Sequence, residues 1–172
     1  MRVFLDTSVL LASLISSGVC PELVKALRAP HPGNIKGFTC VTSKRVLAEL
    51  KGLEELDLDS PHAGLWTSPE AQAAWRMFNE AYTIAPPAPE PVRCHDQDDG
   101  WLLADARQAD CDYFVSGDRQ ILALYCVGSM RLATPHEMLL WVSTGNPIPR
   151  FAAHEDRALH LVTRLKSVHD LH

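Results

Sequence analysis

The chain has few of the features that mark several common protein classes. Its five cysteines, Cys20, Cys40, Cys94, Cys111 and Cys126, form no CxxC pair and are odd in number, which argues against a disulfide framework or a zinc site. Cys40 and Cys126 lie in apolar stretches and read as buried thiols. Cys94-His95-Asp96 is the one metal-like triplet, and three adjacent residues do not readily turn to one ion. Positive charge is scarce: 16 Lys and Arg stand against 21 Asp and Glu, for a net charge of −5. That balance argues against a general electrostatic nucleic-acid binder. No apolar run approaches the roughly 20 residues that span a bilayer. Asp6 comes too early for a signal-peptide core, so a cytoplasmic location without membrane contact is expected. No G-x-S-x-G elbow, internal repeat or low-complexity segment is present. The eight histidines are scattered, and none is assigned to catalysis.

What is present is a 172-residue chain of ordinary composition, 47% hydrophobic and 22% charged, enough for one domain with a real core. Short apolar runs alternate with helical patterns. Strands are expected at Val3–Leu5, Phe38–Thr42, Ile84, Asp112–Ser116 and Met130–Ala133. Helices are expected at Val9–Ile15, Pro21–Leu27, Lys44–Leu53 (capped by Ser43), from Ser68-Pro69 to about Tyr82, from Asp98-Asp99 to Ala109, Asp118–Leu124 and Pro135–Val142. Leu56 to Thr67 looks irregular, and Pro86 to Pro91 reads as an extended connector. A break at Gly145–Pro149 precedes a last helix over about Phe151–Val168, a C-terminal appendage covering residues 146–172 after a main unit of 1–145. This alternation predicts an α/β fold with a mostly parallel sheet.

Four acids stand at the ends of apolar runs. Asp6 closes Val3-Phe4-Leu5, Glu49 sits in Val46-Leu47-Ala48-Glu49-Leu50, Asp99 opens a helix, and Asp118 follows Tyr113-Phe114-Val115-Ser116-Gly117. In a parallel sheet, sites form beyond the carboxyl ends of the strands, where Asp6 and Asp118 would project. Taken singly, Asp6 and Asp118 are readable as helix caps and Asp99 as a partner of a helix dipole. Together they suggest one shared site. Clustered carboxylates repel and lose hydration unless a cation joins them, and oxygen donors suit Mg²⁺ or Mn²⁺.

At this point the chain resembles the PIN-domain ribonucleases. The residues that carry the resemblance are Asp6-Thr7-Ser8-Val9-Leu10, Glu49 within Ser-Lys-Arg-Val-Leu-Ala-Glu-Leu, Asp96-Gln97-Asp98-Asp99 and Val115-Ser116-Gly117-Asp118, in order over about residues 1–142. The branch it is most similar to is the toxins of bacterial toxin–antitoxin pairs. The resemblance implies a three-layer α/β/α domain and an Mg²⁺- or Mn²⁺-dependent endoribonuclease, often dimeric and often held inactive by a small antitoxin. It implies Asp6, Glu49, Asp99 and Asp118 as metal-binding and catalytic residues, with Thr7, Ser8 and Ser116 as supporting hydroxyls. Two ions about 3.5–4 Å apart would serve the chemistry, with Asp6 bridging or binding the first, Asp99 and Asp118 sharing that ion, and Glu49 holding it or orienting water.

Two departures from the family pattern stand out. Gly100 and bulky Trp101 follow Asp99 where relatives are often polar, and Asp105 falls where an apolar residue is usual. Asp96 and Asp98 compete with Asp99 for its role; Asp99 is preferred because its spacing to Leu102, Leu103 and Ala106 starts the apolar helix face.

Lys44, Arg45 and Arg119 lie near the acidic motifs and are candidate RNA phosphate contacts, with surface ion pairs as the alternative. Arg150, Arg157 and Arg164 share one face of the last helix, more readily a solvated face than a contact. Trp66, Trp75, Trp101 and Trp141 read as core or interface anchors. A non-catalytic RNA- or protein-binding module on the same fold is the main alternative. A structure-specific DNA nuclease is the third, with little chain left for the helical elements that clamp DNA.

Overall fold

The computed structural model describes residues 1–28, 37–52 and 68–144. The proposed appendage over 146–172, its arginine stripe, the irregular stretch before Ser68 and Trp66 lie outside them.

The elements follow the hydrophobic pattern closely. In chain order they are β1 (Arg2–Leu5), α1 (Thr7–Ile15), α2 (Val19–Arg28), β2 (Thr39–Thr42), α3 (Lys44–Gly52), α4 (Pro69–Ala81), β3 (Thr83–Ile84), α5 (Gln97–Gln108), β4 (Tyr113–Val115), α6 (Arg119–Leu122), β5 (Cys126–Val127), β6 (Met130–Ala133) and α7 (Pro135–Thr144). Caps fix several starts. Ser43 Oγ accepts from the Val46 N–H at 3.3 Å at the head of α3, and Ser68 Oγ from the Ala71 N–H at 3.1 Å at the head of α4. At α7, Thr134 and Glu137 cap each other reciprocally, the Thr134 N–H donating to Glu137 Oε2 at 2.9 Å and the Glu137 N–H to Thr134 Oγ1 at 3.1 Å.

The strands form one six-stranded sheet in the order β3-β2-β1-β4-β6-β5, parallel except for β5 against β6, with helices flanking it. Its centre is continuous apolar sequence because both faces are covered. Val3, Phe4, Leu5, Val41, Phe114 and Val115 are fully buried, and the Phe4 and Phe114 rings stack at 5.2 Å. From β1 the chain steps outward to β2 and β3, then crosses back to lay β4 on the other side of β1. The β1/β4 boundary is therefore a topological switch point, where loops diverge and leave a crevice at the carboxyl edge.

Two details differ from the sequence reading. β5 is an additional strand, two residues long, joined to β6 through Gly128 at φ +63°. Glycine takes that conformation without steric cost. Cys126 is exposed, not a buried thiol, because β5 lies at the sheet's edge and turns only Val127 inward. Among the described residues no single helix is long and apolar enough to cross a membrane.

A candidate acidic active site

Leu5 pairs with Val115 across the β1/β4 boundary, so Asp6 and Ser116 are the next residues out of two adjacent parallel strands. The Asp6 backbone N–H donates to the Val115 carbonyl at 3.0 Å, extending the ladder by one bond. The side chains then meet. Asp6 occupies the N-cap position of α1, yet its side chain makes no N-cap hydrogen bond of the usual kind. Its Oδ2 accepts from Ser116 Oγ at 2.7 Å and from Ser8 Oγ at 2.8 Å. Ser116 Oγ in turn accepts from the Asp118 N–H at 3.0 Å, so one buried hydroxyl orients both acidic loops.

The remaining acids come from helix starts and from one helix interior. Asp96 is the N-cap of α5, its Oδ1 accepting from the Asp98 N–H at 2.8 Å. That leaves Asp98 and Asp99 in the first turn, where the helix dipole favours negative charge. Asp118 caps α6 through Oδ1 and the Gln120 N–H at 2.6 Å, so the simple capping role is present alongside any other. Glu49, in the middle of α3, reaches the head of α1, where its Oε2 accepts from Thr7 Oγ1.

Asp6, Thr7, Ser8, Glu49, Asp96, Asp98, Asp99 and Asp118, with Leu102 and Gly117, line one open cavity of about 660 Å³. The structure thus brings together all four acids singled out in sequence, together with both of Asp99's competitors. Ser116 stands just behind it. Lys44, Arg45 and Arg119 do not line this cavity. Lys44 and Arg45 line a separate one of about 290 Å³ with Ala48, Ala85, Pro87 and Asp105, and Arg119 is exposed at the head of α6.

Crowding has an electrostatic signature. Asp6 is 5% exposed, and loss of hydration pushes its carboxyl above the usual range despite the opposing hydrogen bonds from Ser116, Ser8 and the Thr7 backbone, with Asp118 adding repulsion. Asp99 is pushed up to about 6, first by desolvation and then by Asp6, Asp96, Asp118 and Asp98. Glu49 is raised by partial desolvation; the Thr7 bond opposes this, and Asp6, Asp98 and Asp99 reinforce it. These carboxyls are held together at a cost that a cation would relieve.

The donors are all oxygens, and no imidazole or thiol lines the cavity, which fits a hard divalent ion. Among the described residues no group of three or more His, Cys, Asp or Glu side chains is placed, as it stands, to hold a metal ion. The acids form the walls of the cavity rather than a finished cage.

The Asp105 departure has a structural explanation. Asp105 is 1% exposed, accepts from the Ala88 N–H at 2.8 Å and pairs with Arg45, Nε to Oδ2 at 3.3 Å. The Arg45 guanidinium lies 4.4 Å from the centre of the Trp101 ring. The sequence signal was a lone carboxylate on an otherwise apolar helix face; its partners were out of reach of sequence. Gly100 is equally specific. A Cβ there would stand 2.4 Å from the Val92 carbonyl oxygen, and the Val92 N–H donates to the Gly100 carbonyl at 2.9 Å. The connector therefore passes directly over the start of α5, beside Asp99.

Comparison with known proteins agrees with this architecture. A family model described as PIN domain matches residues 2–120. Among solved structures, the chain is similar to one in the crystal structure of VapBC2 from Rickettsia felis bound to a DNA fragment from their promoter. The TM-score is 0.53 at 13% sequence identity, covering 78% of this chain and 98% of that one, a likeness of fold. No curated protein sequence matches.

Proposed function

The chain belongs to the PIN-domain family, and from that premise we propose that it is a divalent-metal-dependent endoribonuclease, the toxin of a toxin–antitoxin pair. PIN domains are generally nucleases. The observation that carries the reading here is the convergence of Asp6, Glu49, Asp99 and Asp118 on one open cavity at the switch point of the sheet, with the carboxyls of Asp6 and Asp99 pushed above their usual range by burial and repulsion.

Asp6, Asp99 and Asp118 would hold Mg²⁺ or Mn²⁺, with Glu49 completing the set. A bound ion supplies charge that offsets the carboxylates and an approaching phosphate, and it acidifies water for attack. Ser8 and Ser116 fix the Asp6 carboxylate, and Ser116 fixes the turn that carries Asp118. Thr7 holds Glu49 toward the cavity, where its carboxylate, with a raised pKa, is suited to accept a proton from the attacking water. No side chain is needed as a covalent nucleophile. A cytoplasmic location, a small antitoxin partner and a homodimer belong to the same reading; the similarity to a VapBC2 chain supports the partner.

Incubation of the protein with mixed-sequence single-stranded RNA and Mn²⁺, beside an EDTA control and Asp6→Asn, tests this. Cleavage that disappears in both controls is the expected result. Absence of both cleavage and Mn²⁺ binding in the folded protein would overturn it in favour of a non-catalytic module.

A further inference from the structure

The acidic cavity has no basic residue in its lining, so an RNA chain laid across it meets negative charge before and after the reacting phosphate. A second cavity draws its lining from the same two helices, α3 and α5. Ala48 lines the second and Glu49 the first, and Arg45 stands one turn before Glu49 on α3. On α5, Asp98 and Leu102 line the acidic cavity and Asp105 the second, with Trp101 between.

Arg45 is unusually constrained for a surface cation. Its Nε faces the buried carboxylate of Asp105, its guanidinium packs on Trp101, and its side chain remains 40% exposed. Asp105 is itself anchored by the Ala88 N–H, so the clamp is tied to the connector after β3. A guanidinium held beside a buried carboxylate and against one ring face, with its side chain still partly exposed, is preorganised for a phosphate and loses little side-chain entropy on binding. Lys44 adds a second cation, and Ala48, Ala85 and Pro87 supply an apolar wall.

Building on the nuclease reading, we propose that this second cavity is a subsite for single-stranded RNA. Arg45 and Lys44 grip the phosphate next to the one in the acidic cavity, and the sugar or base lies on the wall formed by Ala48, Ala85 and Pro87. Trp101 and Asp105 are positioning residues that hold Arg45.

The test is RNA binding by full-length Asp6→Asn protein with Mn²⁺, read by fluorescence anisotropy of a short labelled single strand over a series of salt concentrations. Adding Lys44→Gln or Arg45→Gln should weaken binding about tenfold and flatten the log–log salt dependence by about 0.7 per lost phosphate contact, the value for single strands. Since Arg45→Gln strands Asp105, Arg45→Lys serves as the fold-preserving variant. It keeps the charge, loses the fork and the stack, and should weaken binding several-fold at an unchanged melting temperature. Trp101→Leu should act in the same direction as Arg45→Lys. If Lys44→Gln and Arg45→Lys, both folded, bind with the parent's affinity and salt slope while the wild type cleaves RNA, the subsite is wrong and the nuclease reading stands. If neither parent nor wild type engages RNA, both fail.

Discussion

The Ser116 hydroxyl donates to Asp6 Oδ2 at 2.7 Å across 110 positions of sequence, and accepts from the Asp118 N–H at 3.0 Å on its other side. Ser116 is fully buried. One small side chain thus sets the geometry of both acids that leave the switch point of the sheet. Ser116→Ala leaves one of Asp6's hydrogen bonds unmade and the Asp118 N–H without its acceptor. The expected loss is about 1–3 kcal/mol of stability and roughly tenfold in Mn²⁺ affinity. Chemical denaturation and calorimetric titration measure the two. Ser8→Ala, which removes only the exposed one of Asp6's two hydroxyl partners, should do less on both counts.

Desolvation and the neighbouring carboxylates push the Asp99 carboxyl up to about 6 from its ordinary value of 3.8. The folded protein therefore binds more protons than the unfolded chain between these values, and metal-free stability falls as pH rises through that window. Above it the loss is complete. Asp99→Asn should remove this part of the pH dependence and stabilise the metal-free protein near pH 7 by on the order of 1 kcal/mol, the full shift being discounted for solvent screening. Denaturation at pH 4 and pH 7 of both proteins gives the double difference. Asp99→Asn less stable than wild type at pH 7 would contradict the crowded site.

On the proposed reading Mn²⁺ would compete with the protons on the raised carboxyls of Asp6, Glu49 and Asp99. The rise in melting temperature at fixed Mn²⁺ should therefore be larger at pH 7.5 than at pH 5.5, and EDTA should abolish it at both. An equal rise at the two pH values would place the ion elsewhere.

Gly100→Ala puts a methyl group 2.4 Å from the Val92 carbonyl oxygen, a backbone atom that cannot swing away. Either the connector or the start of α5 must move. Overpacking of this kind costs about 1–3 kcal/mol, and because Asp99 is the preceding residue, cleavage should fall more than stability alone explains. Thermal melts beside single-turnover assays separate the two effects. Full activity at a reduced melting temperature would mean that the connector yields instead.

Much of this fold is visible in the sequence because its central strands are buried on both faces. Val3–Leu5 and Tyr113–Val115 are continuous apolar runs, and no other element type explains runs so short between cap residues. β5 was not legible: two residues at an edge carry no periodicity, and the same brevity exposes Cys126. The acids were legible one by one, but their convergence depends on β4 crossing back beside β1. That crossing is a property of strand order and has no local signal. Asp96, Asp98 and Asp99 illustrate the limit. Sequence offered three adjacent carboxylates, and only the helix start separates them, with Asp96 capping and the other two in the first turn. Sequence alone offers Arg45 as a phosphate contact or an ion-pair partner; the fold shows the ion pair with Asp105, a partner 60 positions away that no local pattern connects to it.

The claim that these acids act as one metal-binding unit is tested most directly by calorimetric titration of Mn²⁺ into wild type, Asp6→Asn and Asp99→Asn at pH 7.5. The account predicts saturable binding in the wild type, weakened at least tenfold in each variant with the fold intact. Binding of equal affinity and stoichiometry in all three would contradict it.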